Sequence, residues 1–184
     1  AVTGPALGIL ETNSIARGMV VADAIVKRAP VQLLESHPIS PGKYLIVIAG
    51  EVADVEEALQ AGVAAAAHTL VDRLFLPQAH SQLAPAMTGT ADPGPLGSIG
   101  ILETFTVAST VLAADAAAKA AEVRLVEMRL ANGLGGKAFV VMTGPLDQVE
   151  AGVAAGAAAV GHGLLLGSEI IPAPHGDLAR KLTW

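Results

Sequence analysis

The chain has 184 residues, of which 52% are hydrophobic, so it can bury a core and has the composition of a globular protein rather than a disordered one. Its net charge of −6, with no run of Lys or Arg, argues against nucleic acid or an anionic membrane as a partner. The absence of cysteine excludes disulfides and thiolate chemistry, and the cytosol is the expected compartment, with no signal peptide or membrane span expected.

The first half of the chain is predicted to alternate strands and helices. Asn13 or Ser14 can cap a first helix that ends before Pro30, with apolar residues at steps of three and four. These apolar residues are Ile15, Met19, Ala22 and Val26. Strands are predicted at residues 7–12, 31–35, 43–49 and 71–76, and helices at 14–29, 54–70 and 80–84.

The second half repeats the first. Residues 7–12 return as residues 99–104 at an offset of 92, Gly50 matches Gly144 at 94, and His80 matches His175 at 95. The predicted fold class is therefore α/β (α+β), with two tandem ferredoxin-like β-α-β-β-α-β domains. We expect a first domain at residues 1–87, a Gly- and Pro-rich linker at 88–95 and a second domain at 96–184.

With the repeat in hand, the chain resembles the bacterial microcompartment shell proteins of the tandem-domain, trimer-forming class. The resemblance covers nearly the whole chain and is strongest to the tandem shell proteins of propanediol-utilising compartments. Its most specific segments are residues 6–12, 23–27, 39–43, 50–52 and 171–175.

The resemblance implies a structural protein rather than an enzyme. Three copies would form a homotrimer that imitates a hexamer, and this pseudohexamer would pack with other shell proteins in a microcompartment shell in the cytoplasm. A central pore would pass small metabolites, and the resemblance places eight residues at that pore: Ser40, Pro41, Gly42, Asn132, Gly133, Leu134, Gly135 and Gly136.

The resemblance also bears on a cofactor and on the edges of the trimer. Some relatives carry at the position of Ser40 a cysteine that holds an iron–sulfur cluster. A hydroxyl is a poor substitute for a thiolate, so no cluster is expected here. Lys27 and Lys119 match the family's lysine at the edge between neighbouring trimers.

Three other interpretations of the residues are weaker. The glycine-rich segment at 133–137 fits no nucleotide-binding pattern, because its spacing is wrong and a strand follows it. The histidines lack a paired metal-binding spacing, with His37 the best candidate for an exception. Glu11 and Glu103 could form a catalytic pair, but hydrogen bonds to nearby backbone are the favoured interpretation.

The leading hypothesis is accordingly a shell protein with no catalytic residues and no metal. A trimeric small-molecule binding or sensor module is the alternative, because duplicated ferredoxin-like units can hold ligands between subunits. An enzyme ranks third, since no acid, base and nucleophile converge in the sequence.

Overall fold

The computed structural model describes residues 4–92 and 94–182, apart from the side chains of Ala179 and Arg180. The ends of the two predicted domains, at residues 1–3 and 183–184, and Pro93 of the predicted linker lie outside the described residues. The chain divides into two compact units. The first contains the described residues up to Ala79 together with Asn132–Gly136, and the second contains His80–Ala131 and the residues from Lys137 onward.

The first unit is a four-stranded antiparallel sheet with two long helices, in the strand order β2-β3-β1-β4. This order is that of the split β-α-β fold, and it confirms the predicted fold class. The elements are β1 (Ala6–Thr12), α1 (Ile15–Arg28), β2 (Gln32–Ile39), β3 (Lys43–Gly50), α2 (Val52–Ala66), a short 3-10 helix (Ala67–Thr69) and β4 (Leu70–Leu76).

The second unit repeats this topology with the strand order β6-β7-β5-β8. Its register is the same, since Leu33 lies opposite Ile48 in one sheet and Leu125 lies opposite Met142 in the other. Its elements are α3 (Leu83–Met87), β5 (Ser98–Thr104), α4 (Val107–Ala120), β6 (Arg124–Arg129), β7 (Ala138–Gly144), α5 (Leu146–Ala159), β8 (Leu165–Ile171) and α6 (Gly176–Leu182).

The helices of each unit pack against each other and against the central strands. In the first unit Leu10, Ile46 and Ile48 of the sheet meet Ile25 of α1 and Leu59 of α2 in one buried cluster. Burial of such side chains contributes about 1.5–3 kcal/mol each, which makes this layer the main source of stability. None of the helices in the described part of the chain is long and apolar enough to span a membrane.

The buried face of α1 differs from the apolar pattern by which the helix was predicted. Its buried residues are Gly18, Val21, Ala22 and Ile25, while the predicted Ile15, Met19 and Val26 are exposed. The helix turns this way because Gly18 packs directly on Tyr44, where a Cβ atom would collide with the tyrosine side chain. An apolar stripe therefore faces outward.

Three predicted boundaries also differ from the structure. The helix α2 ends at Ala66 rather than at Leu70, because Ala67 has a φ of +50°. The strand β2 extends to Ile39, since it pairs with β3 up to the turn. The helix α3 begins at Leu83 rather than at His80, because the Gln82 N–H donates to Nδ1 of His80 and holds a turn there.

Candidate pore loops and edge residues

The first loop assigned to the pore is the three-residue turn between β2 and β3. Ser40 is half-buried, whereas Pro41 and Gly42 are exposed. The N–H of Gly42 donates to the Ile39 carbonyl at 3.0 Å, and its φ of +101° requires glycine. The hairpin thus presents a hydroxyl and exposed backbone rather than a bulky side chain.

The second loop assigned to the pore, Asn132–Gly136, follows β6 and belongs to the first unit. It lies beside the first loop, because a Cβ atom on Gly136 would be 3.1 Å from Cδ of Pro41 and 3.4 Å from the Ser40 carbonyl oxygen. The structure therefore brings the two groups of residues together. Gly136 is buried in this contact, while Asn132, Gly133 and Gly135 are exposed.

The two lysines assigned to the edge form equivalent ion pairs with different surroundings. Lys27 Nζ lies 2.7 Å from Oδ2 of Asp23, and Lys119 Nζ lies 2.6 Å from Oδ2 of Asp115. The Asp23 side chain is 58% exposed, whereas that of Asp115 is 6% exposed. Only in the pair of the first unit are the lysine and the aspartate side chains therefore both exposed to solvent.

The two glutamates of the central strands each have a lysine partner. Lys43 Nζ lies 3.5 Å from Oε2 of Glu11, and Lys137 Nζ lies 3.5 Å from Oε1 of Glu103. The Glu11 side chain is fully buried, whereas that of Glu103 is 41% exposed. These ion pairs give both carboxylates a structural role within their own sheets.

His37, the histidine singled out in the sequence, has local partners. Nε2 of His37 lies 3.0 Å from Oε2 of Glu35, and its Nδ1 lies 3.1 Å from the Pro38 carbonyl oxygen. Across residues 4–92 and 94–182, no group of three or more His, Asp or Glu side chains could hold a metal ion.

One structural feature was missed in the sequence, namely the docking of residues 80–87 within the second unit. The His80 N–H donates to Oδ1 of Asp115 at 2.8 Å. Gln82 donates through Nε2 to the Val123 carbonyl at 3.0 Å and accepts from the Leu125 N–H at 2.8 Å. The match between His80 and His175 was the available signal in the sequence, because it marks a segment that occurs at the end of both repeats.

Comparisons with known proteins identify the family. The chain is 40% identical to the bacterial microcompartment shell protein PduT of Citrobacter freundii over 178 residues, which is 96% of this chain and 97% of that protein. The BMC domain model matches it twice, at residues 6–79 and 98–174. The chain belongs to the bacterial microcompartment shell proteins.

Two further comparisons support this assignment. A microcompartment protein from Desulfitobacterium hafniense has a solved structure that is 45% identical, covers 95% of this chain and 98% of its own, and superimposes with a TM-score of 0.88. The carboxysome assembly protein CcmO of Synechococcus elongatus is 30% identical over 96% of this chain and 68% of its own length. The chain is accordingly a tandem BMC shell protein, and the prediction of a structural protein rather than an enzyme is confirmed.

The iron–sulfur cluster that the resemblance implies for some relatives does not fit the residues of this chain. The chain contains no cysteine, and the turn between β2 and β3 carries the hydroxyl of Ser40. Iron–sulfur clusters are held by thiolates, for which a hydroxyl is a poor substitute.

Proposed function

We propose that three copies of this BMC shell protein close into a ring with a hexagonal outline, and that these rings pack edge to edge as tiles of a microcompartment shell. The family and the tandem repeat support this assembly, because two BMC units per chain supply six similar units in a trimer. The predicted domains at 1–87 and 96–184 would each contribute one sixth of the ring, with residues 80–87 packed on the second of them.

The proximity of the two loops carries the assignment of a central pore. Gly136 packs on Pro41 and Ser40, so both loops lie at one place in the first unit. Three chains arranged around that place would line an opening with Ser40–Gly42 and Asn132–Gly136. None of these residues is charged, so backbone groups and the Ser40 hydroxyl would select small polar metabolites.

The edges of the tile are assigned to Lys27 and Lys119. A lysine can lay its aliphatic stem along a neighbour while its ammonium donates to that neighbour's carbonyls. The Lys27 side chain is 73% exposed, which leaves it available for such a contact.

The test combines a mass measurement with imaging. Native mass spectrometry should give three times the chain mass of 18.5 kDa, and electron micrographs of concentrated protein should show hexagonally packed layers. A monomer or dimer in native buffer would contradict the ring. A trimer that binds a metabolite and never forms layers would favour the alternative of a small-molecule binding module.

A further inference from the structure

Residues 80–87 dock onto α4 and β6, and both this segment and the surface that it covers have an equivalent elsewhere in the chain. These two equivalents do not contact each other in the same way. In the docked segment Leu83 and Ala86 are both 1% exposed, and α3 packs against α4 and β6. The segment therefore acts as a clasp: a histidine N–H binds a helix aspartate, a glutamine pairs with the start of a strand, and a leucine is buried. Hereafter the internal clasp means residues 80–87.

The C-terminal residues 175–182, here termed the C-terminal clasp, repeat the internal clasp in sequence and in local structure. The Asp177 N–H donates to Nδ1 of His175 at 3.2 Å, as the Gln82 N–H donates to Nδ1 of His80 at 3.3 Å. Leu178 occupies the position of Leu83 but is 41% exposed. Leu182 packs beside Ile99, Val126 and Val141 of the second sheet, so the C-terminal clasp is anchored at its end while Leu178 lies open.

The surface that receives the internal clasp is duplicated as well. Asp23 and Lys27 on α1 form the same ion pair as Asp115 and Lys119 on α4. Leu33 at the start of β2 occupies the position of Leu125 in β6, but Leu33 is 40% exposed and Leu125 is 2% exposed. We call the outer face of α1 and the start of β2 the empty receiver.

The empty receiver carries exposed apolar residues of α1. Met19 and Val26 are exposed on α1, whereas Val111 and Ala118 at the same positions on α4 are buried. An apolar face beside an aspartate whose copy accepts a clasp N–H is a surface of the kind that binds a partner.

We infer that the C-terminal clasp of one chain docks on the empty receiver of a second copy of this chain. The His175 N–H would donate to the Asp23 carboxylate, and Leu178 would cover Leu33. The contact is head-to-tail, and such contacts close into a ring when the rotation between copies allows. The inference rests on the proposed trimer and adds the segment that links its chains.

One difference between the two clasps makes the proposed contact between chains weaker than the internal one. Gln82 both donates to the Val123 carbonyl and accepts from the Leu125 N–H, whereas Asp177 in its place can accept from the Leu33 N–H but cannot donate when ionised. The contact between chains therefore has one hydrogen bond fewer than the internal one. This suits an interface that forms during assembly.

The chain contains no cysteine, so the contact can be tested by disulfide cross-linking. The double variant Leu33→Cys with Asp177→Cys places thiols at the positions equivalent to Leu125 and Gln82. Both native side chains are exposed, so the variant should fold. Mild oxidation should convert most of the protein into a covalent trimer on a non-reducing gel, and reductant should return it to single chains.

Two further double-cysteine variants serve as the positive and the negative control. Gln82→Cys with Leu125→Cys should form a bond within one chain, which changes mobility but not mass. Gln60→Cys with Asp177→Cys pairs the C-terminal clasp with an exposed residue of α2 and should remain largely unlinked. A link between chains for this last pair as efficient as for the first would overturn the inference.

The outcomes separate the inference from the proposed function. A trimer in native mass spectrometry that gives no cross-link between chains would overturn the docking of the C-terminal clasp and leave the ring intact. In the Leu33→Cys, Asp177→Cys variant, a disulfide formed within one chain would likewise overturn docking on a second copy. A monomer in native buffer would overturn the ring and the docking together.

Discussion

Glu11 and Glu103 hold the same position in two copies of one strand, and their partners follow from the register of the sheets. Glu11 lies opposite Leu45, so Lys43 is its diagonal neighbour, and Glu103 lies opposite Phe139, so Lys137 is its diagonal neighbour. Diagonal positions on antiparallel strands are within reach of long side chains. The glutamates are recognisable in the sequence but their lysine partners are not, because that pairing requires the register.

The burial of the two pairs predicts unequal effects of removing the lysine. Lys43→Met should lower the free energy of unfolding by about 3 kcal/mol, because it leaves the buried Glu11 carboxylate without its cation. Lys137→Met, the matched control, should cost less than about 1 kcal/mol, since Glu103 is 41% exposed. Denaturant unfolding of both variants checks this, and equal losses would contradict the burial argument.

The pairs of helices α1 with α2 and α4 with α5 approach closely through equivalent glycines of the repeat. A Cβ atom on Gly62 would meet the side-chain ends of Leu10 and Ile25, within 2.6–2.8 Å. A Cβ atom on Gly156 would lie 2.8 Å from the backbone oxygen of Ala113, as well as 2.5 Å from Cδ1 of Leu102. Side-chain ends can rotate away, whereas a backbone carbonyl inside a helix cannot.

Alanine at these two glycines should therefore have different effects on stability. Gly156→Ala should destabilise the protein by about 2–3 kcal/mol, because α4 and α5 must separate to admit the methyl group. Gly62→Ala should cost about 1 kcal/mol, since rotation of Leu10 and Ile25 relieves most of its clash. Thermal unfolding of the two variants measures the difference, and a smaller loss for Gly156→Ala would show that the helices can move apart.

The sequence predicts most elements of the fold but not which face of α1 is covered. The predicted strand positions, Ser14 of the two candidate caps of α1 and Pro30 after that helix agree with the structure, where Ser14 Oγ accepts from the Arg17 N–H at 3.2 Å. The spacing of Met19 and Val26 predicts the helix, yet both residues are exposed, because periodicity detects an apolar face and not what covers it.

The candidate site was predictable only in part, for a related reason. The turn at Ser40–Gly42 and the glycine-rich loop could be recognised as turns from Gly and Pro, but their assignment to a pore came from the family resemblance. Their proximity depends on the packing of Gly136 against Pro41, two residues that are far apart in the sequence. No local pattern encodes such a contact.

At the scale of the whole molecule, the duplication allows equivalent residues to differ in their environment. Lys119 neutralises the buried carboxylate of Asp115, which also accepts the His80 N–H, so removing Lys119 would disturb the internal clasp and the second unit. Lys27 pairs only with an exposed aspartate among the contacts described, and a surface pair of this kind contributes little to stability. Lys27 is therefore the better residue with which to test the tile edge.

Replacing Lys27 should separate the formation of the trimer from the packing of trimers into layers. Lys27→Ala keeps the Asp23 carboxylate that would accept the His175 N–H of the next chain, so the trimer mass should stay unchanged. The extent of layers in electron micrographs at equal protein concentration should fall, because the edge loses both the aliphatic stem and the ammonium. Lys27→Arg keeps a long stem and a cationic donor and should retain layers better than the alanine variant. Layers of normal extent from Lys27→Ala would contradict the assignment of Lys27 to the contact between trimers. Loss of the trimer itself would show that this lysine stabilises the contact between chains of one ring instead.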